Sequence, residues 1–210
     1  MALLLNVSYL EKEKAKALGA KWDNQLKKWY VEDYRHYPDF YEWIEPKEKI
    51  DKEIICKSIF IVETNRKCCK CKKDTPVIGF GMKNFANIED TFSIFHDFKE
   101  DLRLVAFFEP MPKSLLQYVK ENYNFKKRYS QTVKDKYYSN GCKHCGALQG
   151  YFYLFEEYSS PFEVDTAREL SIYEFPLKYD IVVEDIMEGA VNVVPCDSRL
   201  IHHMPIIMDS

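Results

Sequence analysis

The sequence predicts an α+β protein: a small β-α-β-β-α module followed by a mixed β domain. Three observations carry this. Residues 3–44 alternate short apolar runs with a helix-forming stretch and a turn flanked by aromatic runs. The chain after residue 52 reads mainly as strands, with one clear helix. Two C-x-x-C pairs, far apart in sequence, lie in that second part.

Taken in order, Leu3-Leu4-Leu5-Asn6-Val7 reads as a short strand. Residues 11–18 (EKEKAKAL) are strong helix formers, and Gly19 supplies a stop. Leu10, Ala15, Ala17 and Leu18 give this helix a weak apolar face. Lys21-Trp22 and Lys28-Trp29-Tyr30-Val31 flank a polar turn and form a hairpin, with Trp22 opposite Trp29 and packed on the helix. Asp33 caps a second helix through Tyr37, Phe40, Tyr41 and Trp43 to Ile44. All three tryptophans fall in this unit, which at about 45 residues needs bulky anchors for any core. The charged, proline-bearing residues 46–52 read as a linker between a module at 1–45 and a domain at 53–210. In that domain strands are expected at 54–62, 76–80, 102–108, 136–139, 150–155 and 179–183. A helix starts near Pro112 and ends before Phe125.

A chain of 210 residues with 46% apolar side chains can bury a substantial core. It offers no run of roughly 20 apolar residues for a membrane helix and no basic-then-apolar leader, so a cytoplasmic location is expected. In that compartment seven cysteines are thiols or metal ligands rather than disulfides. Net charge is −3 but unevenly spread: residues 51–150 carry 18 basic and 12 acidic side chains, residues 151–210 carry 3 and 12.

Cys68 and Cys71 form one C-x-x-C hook, Cys142 and Cys145 the other. Two intervening residues let a tight turn aim both sulfurs at one ion, and two turns complete a tetrahedron around Zn2+ with bonds of about 2.3 Å. The long separation makes this a zinc ribbon split by an insertion. Gly146 follows the second hook, where a positive φ is favoured. Cys69 in place of Cys68, or His144 in place of a cysteine, are the competing ligand sets. Four thiolates close the coordination shell, so the zinc is structural rather than catalytic. No H-E-x-x-H, glycine-rich phosphate loop or dinucleotide fingerprint is present. No catalytic residue is assigned.

Arg66, Lys67, Lys70, Lys72, Lys73 and Lys143 crowd the hooks. Two explanations stay open: the cations balance a centre of net charge −2, or they form a phosphate-binding patch. Residues 113–136 add seven basic against two acidic side chains with interleaved aromatics, a pattern that suits single-stranded nucleic acid and equally a helix or strand core. The candidate nucleic-acid contacts are Lys21, Lys27, Lys28, Lys72, Lys73, Lys126, Lys127 and Arg128.

Residues 3–44 carry L-N-V at 5–7, then K-x-x-A-K-x-L-G-A-x-W-D at 12–23, then K-x-W-Y at 27–30. This unit resembles a small bacterial domain of unknown function whose relatives occur in proteins of plasmids and other mobile elements, including primase-like ones. It also resembles, less closely, the short hairpin module of annealing helicases. The stretch 137–150 (YYSNGCKHCGALQG) is similar to the zinc-ribbon part of bacterial proteins that accompany this module. The resemblance implies a nucleic-acid context. The expectation is therefore a non-enzymatic structural-zinc protein associated with DNA or RNA. The alternatives are a protein-interaction adaptor using the acidic C-terminal third, and an enzyme with a site assembled from scattered polar residues.

Overall fold

The computed structural model describes residues 1–46, 52–89, 92–99, 101–132, 134–162, 170–186, 192–196 and 198–207. It is a mixed α+β fold dominated by strands, 47% against 20% helix.

The N-terminal unit opens with β1 (Leu3–Leu5), a 3-10 turn at Tyr9–Glu11 and helix α1 (Lys12–Ala17). The hairpin β2 (Lys21–Asp23) and β3 (Lys28–Val31) follows. The three strands pair antiparallel in the order β1-β3-β2, with Trp22 opposite Trp29. Gly19 ends α1 at a φ of +101°, a conformation that costs glycine little. The expected apolar face of α1 is reduced to Ala15. Leu10 is 93% exposed and Leu18 is also exposed, because six residues make under two turns and present a single position to the core. The second helix, Tyr34–Trp43, is capped by the Asp33 side chain as expected but is a 3-10 helix. Pro38 inside it has no N–H to donate, which disfavours an α ladder.

A long hairpin, β4 (Lys52–Lys67) and β5 (Asp74–Ile88), is the spine of the rest. Of the segment expected as a linker, residues 47–51 lie outside the described residues. Lys52 already belongs to β4 and is fully buried, its ammonium donating to the Ile44 carbonyl at 2.7 Å. Next come β6 (Ser93–Asp97), β7 (Asp101–Val105) and β8 (Phe108–Glu109), then α2 (Lys113–Asn122). The hairpin of β9 (Phe125–Ser130) and β10 (Asp135–Asn140) precedes a short helix α3 (Tyr151–Phe155). The chain closes with β11 (Ser171–Pro176), β12 (Ile181–Val183), β13 (Asp185–Ile186), β14 (Asn192–Pro195) and β15 (Ile201–His203). The main sheet runs β14-β7-β5-β4-β11-β15, with β12 also on β4 and β6 on β5.

Where a strand is expected at 150–155, Tyr151–Phe155 form a helix. Their aromatics satisfy strand propensity. Burial instead follows the helical face, with Leu154 and Phe155 interior, Phe152 and Tyr153 outside, and Tyr151 stacked on Phe155 one turn away. The expected strand 102–108 is divided at residues 106–107 into β7 and β8.

The continuous apolar run of β4 has a structural cause: the sheet is covered on both faces. Ile55, Ile59 and Ile61 join the main core with Phe80, Phe108, Phe125 and Leu115. Ile54 and Cys56, with Ala86 and Ile88 of β5, join Leu3, Leu5, Tyr37, Phe40 and Trp43 of the N-terminal unit. The Tyr37 hydroxyl donates to Asp180 Oδ2 at 2.6 Å, and the Lys57 N–H reaches Asp180 Oδ1 at 3.1 Å. Asp23 of the first hairpin accepts from the Tyr179 hydroxyl and pairs with Lys178 at 3.2 Å.

Candidate metal centre

Both cysteine hooks are built as six-residue loops closing a pair of facing residues. The first, residues 68–73, is the turn between β4 and β5, beyond the pair Lys67–Asp74. The second, residues 142–147, follows β10 and is closed by the bridge Gly141–Leu148. Their backbones repeat one another. Cys68 N–H donates to the Lys73 carbonyl (2.9 Å) and Cys142 N–H to that of Ala147 (2.8 Å). Lys72 N–H returns to the Cys68 carbonyl (3.0 Å) and Gly146 N–H to that of Cys142 (2.9 Å). The residue four beyond the first cysteine is left-handed in each loop, Lys72 at +63° and Gly146 at +71°.

In this geometry amides point at sulfur. Cys68 Sγ accepts from the N–H of Lys70 (3.4 Å) and Cys71 (3.5 Å), and Cys142 Sγ from that of His144 (3.3 Å). Burial pushes the Cys68 thiol up, but the Cys71 and Lys70 amides prevail and bring it down to about 6. Cys142 is likewise lowered against its burial. At Cys145 the Ala147 amide pulls downward, while partial desolvation and three neighbouring sulfurs push the thiol up to about 11. Four thiols this close cannot all ionise alone, and a bound cation removes that conflict.

The four sulfurs lie within 4.8 Å of one another and could hold a metal ion. Cys68 is 3.6 Å from Cys145, and Cys71 is 3.6 Å from Cys142, so each hook is matched to the other. A tetrahedron with bonds of about 2.3 Å has edges of about 3.8 Å, which the donor set fits. Cys69 and His144 are placed elsewhere. Cys69 is exposed with its sulfur toward the Leu148 carbonyl, and the His144 ring meets the Asp74 carbonyl at 3.0 Å.

Polar staples hold the loops together. Asn140 exchanges two hydrogen bonds of 2.8 Å with the Ile78 backbone, and Lys143 N–H donates to Thr75 Oγ1 at 2.9 Å. Buried Gln149 directs its amide to Cys68 Sγ (3.5 Å) and to the Ala147 carbonyl (2.8 Å). Sequence reasoning missed these three side chains. Each is an ordinary polar residue near a hook, and its role depends on a partner 62, 68 or 81 residues away in the chain.

The eight candidate nucleic-acid contacts divide. Lys21 pairs with Glu32 at 2.5 Å and Lys127 with Glu109 at 2.8 Å. Lys72 donates to the Cys69 carbonyl at 3.0 Å. Arg128 braces the second loop: its guanidinium reaches the carbonyls of Ser139 (2.5 Å) and Asn124 (3.0 Å), and Asn124 in turn donates to the Cys142 carbonyl at 2.9 Å. Desolvation lowers the pKa of Arg128. Lys27, Lys28, Lys73 and Lys126 are exposed and form no ion pair among the described residues.

These features define a mixed α+β protein with a candidate four-cysteine metal centre and an N-terminal strand–helix–hairpin unit. Residues 3–45 match DUF5710, a domain of unknown function. No curated protein and no solved structure matches the chain. Among the described residues no helix is long and apolar enough to cross a membrane.

Proposed function

We propose that this chain is a non-enzymatic protein that carries one structural zinc ion and contacts nucleic acid. Four thiolates and no open position favour zinc in a structural role. The observation that carries the nucleic-acid reading is where the cations go. The sulfurs receive their hydrogen bonds from backbone amides and Gln149. Among the described residues no lysine ammonium hydrogen-bonds a cysteine sulfur, and Lys70, Lys73 and Lys143 remain exposed around the centre. That arrangement leaves the ammonium groups free to meet an external polyanion while they also offset thiolate charge through space.

The test is metal analysis of the purified protein together with a titration of DNA and RNA oligonucleotides across salt. One equivalent of zinc and an affinity that falls linearly on a log–log salt plot are expected. Replacing Lys70, Lys73 and Lys143 together with Gln should flatten that slope. Absence of binding at low salt would remove the nucleic-acid reading, and absence of stoichiometric metal would remove the zinc.

A further inference from the structure

The N-terminal unit completes its core without Trp22. Leu3, Leu5, Ala15, Phe40 and Trp43 are interior, while Trp22 is 45% exposed and Tyr9 is 79% exposed. Large aromatic surface left in water forgoes burial free energy and marks interaction sites. Trp22 meets Trp29 edge to face, with ring centroids 5.5 Å apart at 64°. That contact fixes the Trp22 ring without covering it by a parallel partner. The two indoles and Tyr9 line an open cleft of about 580 Å³, together with Lys12, Lys27 and Lys28.

The cations at this cleft are placed by the backbone. Asp23 Oδ1 accepts from the N–H of Gln25 (2.7 Å) and Leu26 (2.9 Å), which sets the hairpin turn. The turn ends on Lys27 at a φ of +53°, where glycine would be cheaper. Lys12 holds its ammonium 4.0 Å over the Tyr9 ring. None of these three lysines forms an ion pair among the described residues.

We propose that this cleft is a stacking site for an unpaired base of single-stranded nucleic acid, with Trp22 and Trp29 as the platform and Lys12, Lys27 and Lys28 as phosphate contacts. The proposal rests on the nucleic-acid reading above and adds a place and a strand state. Aromatic faces accept any base, and lysines along the rim meet the phosphates on either side. Three ammonium groups repel the cationic ligands that an aromatic pair would otherwise attract. An apolar peptide would leave the same three charges unmatched. In a duplex the base faces are already stacked, so this cleft selects against paired strands.

The test uses the full chain and the tryptophan emission that a stacked base quenches. Titration with oligodeoxythymidylate should quench emission, and a duplex of equal length should bind more weakly. Trp22→Ala should weaken single-strand binding about tenfold to a hundredfold with the thermal midpoint little changed, and Trp22→Phe should restore part of the loss. Lys27→Gln with Lys28→Gln should lower the salt slope by about 0.7 per lysine. If Trp22→Ala binds single strands as the parent does, or if duplex binds more tightly, the cleft is not the site, although the general nucleic-acid reading survives. If the parent binds no nucleic acid at any salt, both fall.

Discussion

Lys72 and Gly146 occupy equivalent positions in the two cysteine loops, and both adopt the left-handed backbone that lets the loop turn back on its first cysteine. A Cβ at Gly146 would meet nothing within 4 Å, so Gly146→Ala carries only the backbone cost, about 1 kcal/mol. Gly141 differs. A Cβ there would sit 2.2 Å from Arg128 Nη2 and force the guanidinium off the carbonyls it braces. Gly141→Ala should therefore cost more, about 2–3 kcal/mol, because a part-buried charge loses its partners. Denaturant unfolding of the two variants side by side checks the order. Equal losses would show that Arg128 does not support the second loop.

At the scale of elements, the seam between the N-terminal unit and the main sheet turns on two aspartates with opposite behaviour. Asp23 is held well below the usual carboxylate range, first by the Tyr179 hydroxyl and then by the Leu26 amide, with Lys178 adding to it. Its folded pKa lies below its unfolded value, so its contribution is complete above about pH 4 and is lost as pH falls below that. Asp23→Asn should flatten the acid limb of the stability profile below about pH 4 relative to the parent. Asp180 is raised, chiefly by burial, against the Tyr37 hydroxyl and the Lys57 amide. Its ionised form is disfavoured by folding, so it opposes stability above the ordinary carboxylate range. Tyr37→Phe removes the hydroxyl and leaves Asp180 Oδ2 short of a donor in a buried place. The expected cost is about 1–3 kcal/mol in the urea midpoint. An unchanged midpoint would mean that this contact does not fasten the unit to the sheet.

For the molecule as a whole, the candidate centre joins the tip of the β4–β5 hairpin to the end of β10, so bound metal would tie two distant parts of the chain. Thiolate ligation competes with protons, and metal free energy becomes folding free energy. A strong chelator, or acidification toward pH 5, should lower the thermal midpoint by several degrees. Cys142→Ser should reproduce that loss and abolish the response to chelator. If the chelator leaves the midpoint unmoved, the centre makes no contribution to the fold.

How much of this was legible follows from the range over which each feature is decided. The helix formers before Gly19, the Trp22–Trp29 register, the Asp33 cap and α2 depend on neighbours a few residues away, and their patterns are readable in order. The two hooks are also local, since C-x-x-C spacing and a following left-handed residue are properties of one turn. Residues 151–155 misled because five aromatic and aliphatic residues fit a strand or a helix equally, and Gly79, Phe155 and Phe162 settle the matter by packing. The sequence by itself determined the two C-x-x-C turns and the strand–helix–hairpin order of the first unit, because those rest on short-range backbone chemistry. The tertiary structure alone decided which lysines are spent on carboxylates and carbonyls, that Arg128 braces a loop, and that Trp22 faces a cleft. Those are outcomes of long-range contact, which no local pattern encodes.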